Sequence, residues 1–185
     1  YKPTHVIMLE KKMDKQRIQY PCFNSAKIDG VRAIYKYGEF YSRGGHKYVG
    51  LDHLKKLLQD IKTPIDGELT VDGKSFQEGS GDIRSLAPSP EAVFSMFELP
   101  EIESPFAERL LLISDIARSA NCRFIRDVPH HIMHDYDQVV NFYQTVRGLG
   151  YEGAVIKSSD YKYVGTRSWH WMKMNNIMRD LELKI

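Results

Sequence analysis

Apolar residues recur along this chain at two periods. Val31, Ala33 and Tyr35 alternate with polar or basic neighbours, and Tyr37-Gly38 then leads into residues 39–42, which reads as a β-hairpin. Leu51, Leu54, Leu58 and Ile61 recur at helical spacing. Ile65–Val71 reads as a strand, closed by Asp72-Gly73 as a two-residue hairpin turn before Ser75-Phe76. Residues 92–99 form another apolar strand. Ser104-Pro105 is a helix start, with Ser as cap and Pro at the first position, leading through Leu110, Ile113 and Ala117. Residues 122–128 read as a strand. Asp135, with Gln138 three residues later, has the spacing of a capping box and opens a helix that stops near Gly148. Residues 154–157 and 169–174 finish the strand set. Without repeats or low-complexity tracts, this order predicts an α+β domain whose antiparallel β-sheets are flanked by helices.

Composition narrows the classes. The 185 residues suffice for one large domain or two small ones, and the 42% apolar content supplies a core. A formal net charge of +2 does not by itself imply a nucleic-acid partner, so any such surface must be a local basic patch. Cys22 and Cys122 are far apart and match neither a metal pattern nor a disulfide framework, which fits a reducing, cytosol-like compartment. No apolar run approaches membrane-spanning length and no charged-then-apolar leader opens the chain, so a soluble protein is expected.

The stretch Lys27-Ile28-Asp29-Gly30-Val31-Arg32 carries the most chemistry, because it sets a lysine on a tight Asp-Gly turn between two apolar segments. A lysine amine attacks phosphorus only when neutral, and its reference pKa is ~10.4, so such a site must lower it by burial or by neighbouring cations. Arg32, Lys157 and Lys173 are the candidate cations. Gly30 permits a backbone conformation that lets a phosphate approach Lys27, and Asp29 can orient the amine or take its proton. Read alone, the same stretch is a surface hairpin with a solvated lysine. Glu152-Gly153 follows a helix stop and opens a strand, which projects a carboxylate as a hard oxygen ligand of the kind that suits Mg²⁺. His130, His131 and His134 lack a matching cysteine or carboxylate pattern for zinc. Tyr161, Tyr163, Trp169 and Trp171 interleave with Lys162 and Arg167, which suits a DNA-facing surface, although strand alternation explains the two Trp equally well.

The lysine motif has company. In order along the chain stand Ser42-Arg43-Gly44-Gly45, Asp66-Gly67-Glu68-Leu69, Phe94-Ser95-Met96-Phe97-Glu98, Glu152-Gly153-Ala154-Val155-Ile156-Lys157 and Trp171-Met172-Lys173-Met174. Together with the first motif they resemble the nucleotidyltransferase motifs of ATP-dependent DNA ligases, particularly the small viral, phage and bacterial enzymes. The resemblance runs from about Tyr20 to the last residue.

That resemblance implies an ATP-grasp-like nucleotidyltransferase domain over residues 1–178, with 179–185 beginning a C-terminal OB-type domain that this chain does not contain. It implies ATP, held as a lysyl-AMP intermediate on Lys27, with Mg²⁺ or Mn²⁺, and catalysis by Lys27, Asp29 and Lys173. Ser25, Ala26, Lys27, Ile28, Arg32, Glu68, Phe97, Val155, Lys157 and Lys173 would contact the nucleotide. In that set Glu68 accepts hydrogen bonds from ribose hydroxyls, Phe97 stacks on the purine, and Lys157 and Lys173 face the α-phosphate. Glu152 would bind the metal, and Arg32 and Arg43 the nucleic acid. The implied partner is nicked duplex DNA, acted on by a monomer with no membrane association. The implied compartment is the cytoplasm of a bacterial or phage-infected cell, or the nucleus for a eukaryotic virus.

Three departures stand out. Glu98 replaces the aspartate that often follows the stacking aromatic, and Gly44 replaces a frequent Asn. The last motif usually reads Lys-x-Lys, whereas here it is Lys173-Met174-Asn175, so a second phosphate contact is weakened or moved, with Lys184 or Arg179 as replacements. Alternative readings are an mRNA-capping guanylyltransferase, an RNA ligase, and a nucleic-acid-binding module without the chemistry. Glu152-Gly153 and Met174 favour ligase over the first, Asp29 favours it over the second, and Asn175 alone supports the third.

Overall fold

The structure, a computed structural model, describes residues 7–175. In chain order its elements are β1 (Leu9–Lys12), a 3-10 turn (Lys15–Arg17), β2 (Cys22–Lys27), β3 (Val31–Lys36), β4 (Glu39–Tyr41), β5 (Lys47–Tyr48), α1 (Asp52–Leu57), β6 (Ile65–Val71) and α2 (Phe76–Arg84). Then follow β7 (Ala92–Glu98), α3 (Phe106–Ala120), β8 (Ile125–Asp127), β9 (His131–Met133), α4 (Tyr136–Gly148), β10 (Gly153–Ser158) and β11 (Arg167–Asn175). Among the described residues they fall into two compact units, one comprising Ile7 with Asp29–Val128 and the other comprising Met8–Ile28 with residues 129–175. No helix among the described residues is long and apolar enough to cross a membrane.

The first unit is built on a six-stranded sheet in the order β5-β4-β3-β6-β7-β8. Its alternation follows the pleat. Val31, Ala33 and Tyr35 lie opposite Leu69, Gly67 and Ile65 in register, on the face that also packs against Leu51, Leu54 and Leu58 around α1 and Ile113 of α3. The expected hairpin forms, with Tyr37 (φ 54°) and Gly38 (φ 75°) in the left-handed region between β3 and β4. β8 pairs parallel to β7 because α3 lies between them as a crossover, so antiparallel pairing stops at this edge.

One expectation fails here. The turn at Asp72-Gly73 leads into helix α2 and not into a second hairpin strand. Ser75 accepts a hydrogen bond from Glu78 N while the Glu78 carboxylate accepts from Ser75 N, a reciprocal pair that commits the chain to a helix. Three boundaries also shift. α3 begins at Phe106 with Pro105 in the cap position and no side-chain cap hydrogen bond, so Ser104 does not cap it. The strand expected over 122–128 is only β8, and the helix through Ile61 ends as α1 at Leu57.

The second unit carries a five-stranded sheet in the order β1-β11-β10-β2-β9, antiparallel except where β1 runs parallel to β11. Helix α4 covers one face, placing Val139, Tyr143 and Val146 against Cys22, Ala154, Ile156, Met172 and Met174. Asp135 caps α4 by accepting from Gln138 N. The reciprocal arm reaches one residue further back, since Gln138 Oε1 accepts from His134 N. The short β1 and β9 carry no clean alternation, which hid them from sequence periodicity. The strand expected over 180–185, the boundary after 178, and the replacement cations Arg179 and Lys184 lie outside the described residues.

Candidate active site

In the second unit, register alone gathers most of the expected residues. Across β2, β10 and β11, Lys27 stands opposite Gly153 and Gly153 opposite Asn175; Ser25, Val155 and Lys173 form the next row, and Phe23, Lys157 and Trp171 the third. Directly opposed residues of a sheet share a face, so Lys27, Ser25, Val155, Lys157 and Lys173 all project from the face opposite α4. Lys12 of β1 is paired with Lys173 and extends the middle row; no motif pointed to it. Glycine is required at 153, where a Cβ would stand 2.0 Å from the Met174 carbonyl oxygen. Ala26, expected among the nucleotide contacts, faces the other way with its side chain. Its place between Lys27 and Ser25 turns its side chain to the α4 core, against which it packs.

The amine of Lys27 donates to Glu152 Oε2 at 2.9 Å, and Asn175 Nδ2 donates to Glu152 Oε1 at 2.8 Å. Glu152 thus occupies both of its oxygens on this face. Lys27 and Glu152 remain 22% and 38% exposed, open enough for a ligand to reach. Lys157 is by contrast only 2% exposed, its ammonium 4.5 Å above the ring of the buried Trp171. Tyr161 and Tyr163 meet that indole edge-on, and Tyr163 Oη accepts from Met8 N. Trp171 is therefore a floor beneath Lys157 and no surface platform, as strand alternation expects. The carboxylate on the Lys27 amine is Glu152, whereas Asp29 belongs to the other unit and is exposed. Ile28 follows β2 directly and ends the segment.

In the first unit, Arg32, Glu68 and Phe97 share the face of the sheet turned away from its core. Arg32 is opposite Glu68 in register, and a bulge between β6 and β7 inserts Phe97 as an extra residue on β7. That bulge aims the Phe97 ring at the Arg32 guanidinium, 4.9 Å from its centre. The guanidinium is committed further, since its Nε and Nη2 each donate at 2.6 Å to the two oxygens of the fully buried Asp66. Asp66 lies within one of the motifs, and this fork-to-carboxylate pairing is a role that the motif alone does not show. Gly30 does not lie in the left-handed region of backbone space. A Cβ there would meet the Leu69 carbonyl oxygen at 2.5 Å, so the glycine serves close approach to β6.

Glu98, the departure beside Phe97, is fully buried and binds Arg109 of α3 through both oxygens, at 2.7 and 3.0 Å. No sequence signal pointed to Arg109, which reads as one more polar position on an amphipathic helix. Arg43 is exposed at the tip of the 42–45 turn, where Gly45 N donates to Ser42 O at 2.9 Å. Among the described residues no cluster of three or more His, Cys, Asp or Glu side chains is arranged to hold a metal ion. His131 instead packs its ring against Phe142, 5.5 Å between centres.

Comparison with known proteins agrees with these motifs. Residues 4–175 match the family model of the ATP dependent DNA ligase domain. A DNA ligase of African swine fever virus (isolate Tick/Malawi/Lil 20-1/1983) is 28% identical over 160 residues, covering 78% of this chain and 38% of that protein. The chain therefore spans under two-fifths of the length of the curated relatives it matches. Among solved structures, a Lig E DNA ligase superposes with a TM-score of 0.79 at 20% identity, over 92% of this chain and 68% of that one. Chlorella virus DNA ligase-adenylate follows at 0.78 and 20%, over 91% and 66%. These two likenesses establish a common fold.

Proposed function

Because this chain belongs to the family of ATP-dependent DNA ligase domains, we propose that it activates DNA ends for joining, with Lys27 as the nucleophile. The observation that carries this reading is the Lys27 amine at 2.9 Å from Glu152, on a sheet face that also bears Lys157 and Lys173. The amine, once neutral, attacks the α-phosphorus of ATP; a P–N bond forms, the bond to the β-phosphate oxygen breaks, and pyrophosphate leaves. Lys173 and Lys157 offset the charge that grows on the α-phosphate oxygens. A 5′-phosphate oxygen at a nick then attacks the AMP phosphorus and releases Lys27. Finally the 3′-hydroxyl attacks the activated 5′-phosphorus, AMP leaves, and the strand is closed.

The remaining roles follow the family. Ser25, Ile28 and Val155 line the nucleotide, Glu68 takes the ribose hydroxyls and Phe97 the base, while Arg32 and Arg43 take the nucleic acid. The adenylate held by the Chlorella virus relative supports the covalent step. A divalent cation, Mg²⁺ or Mn²⁺, supplies charge neutralisation when bound. The donor set fits a cation held mostly by phosphate oxygens and water, since among the described residues Glu152 offers a carboxylate here and no cage of three or more acidic or imidazole ligands forms. Residues 179–185 would lead into the OB-type domain of longer relatives, and removing its phosphate contacts would weaken DNA binding and flatten its salt slope.

Incubation with ATP and Mg²⁺, followed by mass spectrometry of intact protein and peptides, tests this reading. One AMP is expected as a phosphoramidate on Lys27, lost in Lys27→Ala. An adduct on another lysine, labelling by GTP in preference to ATP, or no adduct at all would overturn it. Sealing of nicked DNA against nicked RNA then tests the substrate.

A further inference from the structure

The position where the family's second lysine gives way to Asn175 is structurally explicit. An ionised carboxylate only accepts hydrogen bonds, so the amide must turn its Nδ2 toward Glu152, and the 2.8 Å contact is made in that sense. The other end of the amide is left with nothing: Asn175 Oδ1 is buried and has no hydrogen-bond partner among the described residues. A buried unpaired acceptor costs stability, and Asn175 bears that cost while its donor stays on Glu152. The opposite oxygen of the same carboxylate accepts from Lys27. Three strand ends therefore meet in one chain of contacts, from β11 through Glu152 to β2, with Gly153 alone between Lys27 and Asn175 in the register.

A lysine at 175 would behave differently. It would bring a second ammonium to a carboxylate that Lys27 already uses, on a flexible four-carbon stem. The short, planar and neutral amide engages one oxygen and does not compete for the other. We propose that Asn175 is a positioning residue, which holds Glu152 by Oε1 so that Oε2 faces the Lys27 amine. On this account the departure from Lys-x-Lys is a rebuilt clamp and no vacant phosphate contact. The inference rests on Lys27 being the nucleophile for its meaning, but the coupling itself is measurable without nucleotide.

The first measurement, on the 185-residue chain, follows acylation of Lys27 by a limiting dose of an acetylating reagent without ATP, quantified by peptide mass spectrometry against exposed Lys56 and Lys62. Glu152→Ala is expected to raise Lys27 labelling, Asn175→Ala to raise it in the same direction, and the double variant to go no further than Glu152→Ala alone. Unchanged labelling in Asn175→Ala, or multiplying effects in the double variant, overturns the clamp. Asn175→Leu removes the donor at nearly the same side-chain volume and without adding charge, and stands in with the same expectations if Asn175→Ala does not fold.

The second measurement is single-turnover adenylation. Asn175→Ala should lower the maximal rate about tenfold, the ratio that a hydrogen bond to a charged group commonly controls, while half-saturation by ATP stays within about twofold. A raised half-saturation with the maximal rate kept would make Asn175 a nucleotide contact and overturn the proposal. Asn175→Lys should also slow the reaction; acceleration of about tenfold would mean that the phosphate position was vacant. If the unaltered chain takes no AMP on Lys27, the functional reading fails, and the acylation result still decides the clamp.

Discussion

At the scale of residues, buried ion pairs carry the least replaceable positions. Arg109 and Glu98 are 3% and 0% exposed and joined by two hydrogen bonds, so neither has water to fall back on. Removing one partner strands the other charge, and Arg109→Ala is expected to cost about 3–5 kcal/mol in urea unfolding. The Glu98→Gln, Arg109→Met double variant should recover much of that loss, because it leaves no buried charge. Loss of under about 1 kcal/mol in the single variant would show that water reaches the pair. Burial acts similarly on Cys22, pushing its thiol up to about 11. The thiolate is the reactive form, so at pH 8 iodoacetamide should modify the half-buried Cys122 well before Cys22 in the folded protein, with the difference lost in denaturant. None of these three environments was legible in the sequence. Arg109 and Cys22 acquire theirs from strands and helices that approach only in the fold, and a sequence shows a charge without showing what faces it.

At the scale of elements, the strands announced themselves wherever alternation was strong. Ile65–Val71 matches its expectation to the residue, and the hairpin at Tyr37-Gly38 formed as its turn chemistry required. The failure at α2 is instructive because two local signals competed. Asp72-Gly73 is a good hairpin turn, and Gly79 and Gly81 weaken the helical reading that follows. Yet Ser75 and Glu78 have capping-box spacing, and their reciprocal hydrogen bonds prevailed. The Glu78 carboxyl is held below its usual range first by the Ser75 hydroxyl and then by the Ser75 backbone N–H. A carboxyl depressed in the folded state contributes stability above its unfolded pKa and loses it as the pH falls through the folded value. Ser75→Ala is therefore expected to lower stability at neutral pH, and to lower it less once the solution is acid enough to protonate Glu78. Denaturant midpoints taken at both pH values check this, and a pH-independent cost would place the loss in the hydroxyl alone.

At the scale of the molecule, the motifs identified which residues matter but not which of them share a face. Lys27, Lys157 and Lys173 were legible through resemblance; that they form successive rows on one side of a sheet depends on register, which a one-residue slip would reverse. Ala26 illustrates the gap, since it adjoins Lys27 in sequence and points to the other side of the sheet. The architecture also separates two kinds of chain connectivity. Every residue of the first core, from Val31 to Ile125, lies within the continuous stretch Asp29–Val128. The second unit is assembled from distant segments, and its β2 is bonded to β10 on one side and β9 on the other. Removing residues 1–28 would delete β1 and β2, leave β9 without its partner strand among the described residues, and reduce the described second sheet to the β10–β11 hairpin. It would also take Cys22 and Ile18 from the core under α4. A lone hairpin with a thinned core is marginal in water, whereas the first unit keeps all six strands. The truncated chain is thus expected to give dispersed amide resonances for 29–128 and collapsed, coil-like ones for most of 129–175, read from an assigned nitrogen–proton correlation spectrum. Collapse throughout would show that the first unit depends on the second for its stability. Dispersion persisting beyond residue 128 would show that β2 is dispensable to the sheet at whose interior it lies.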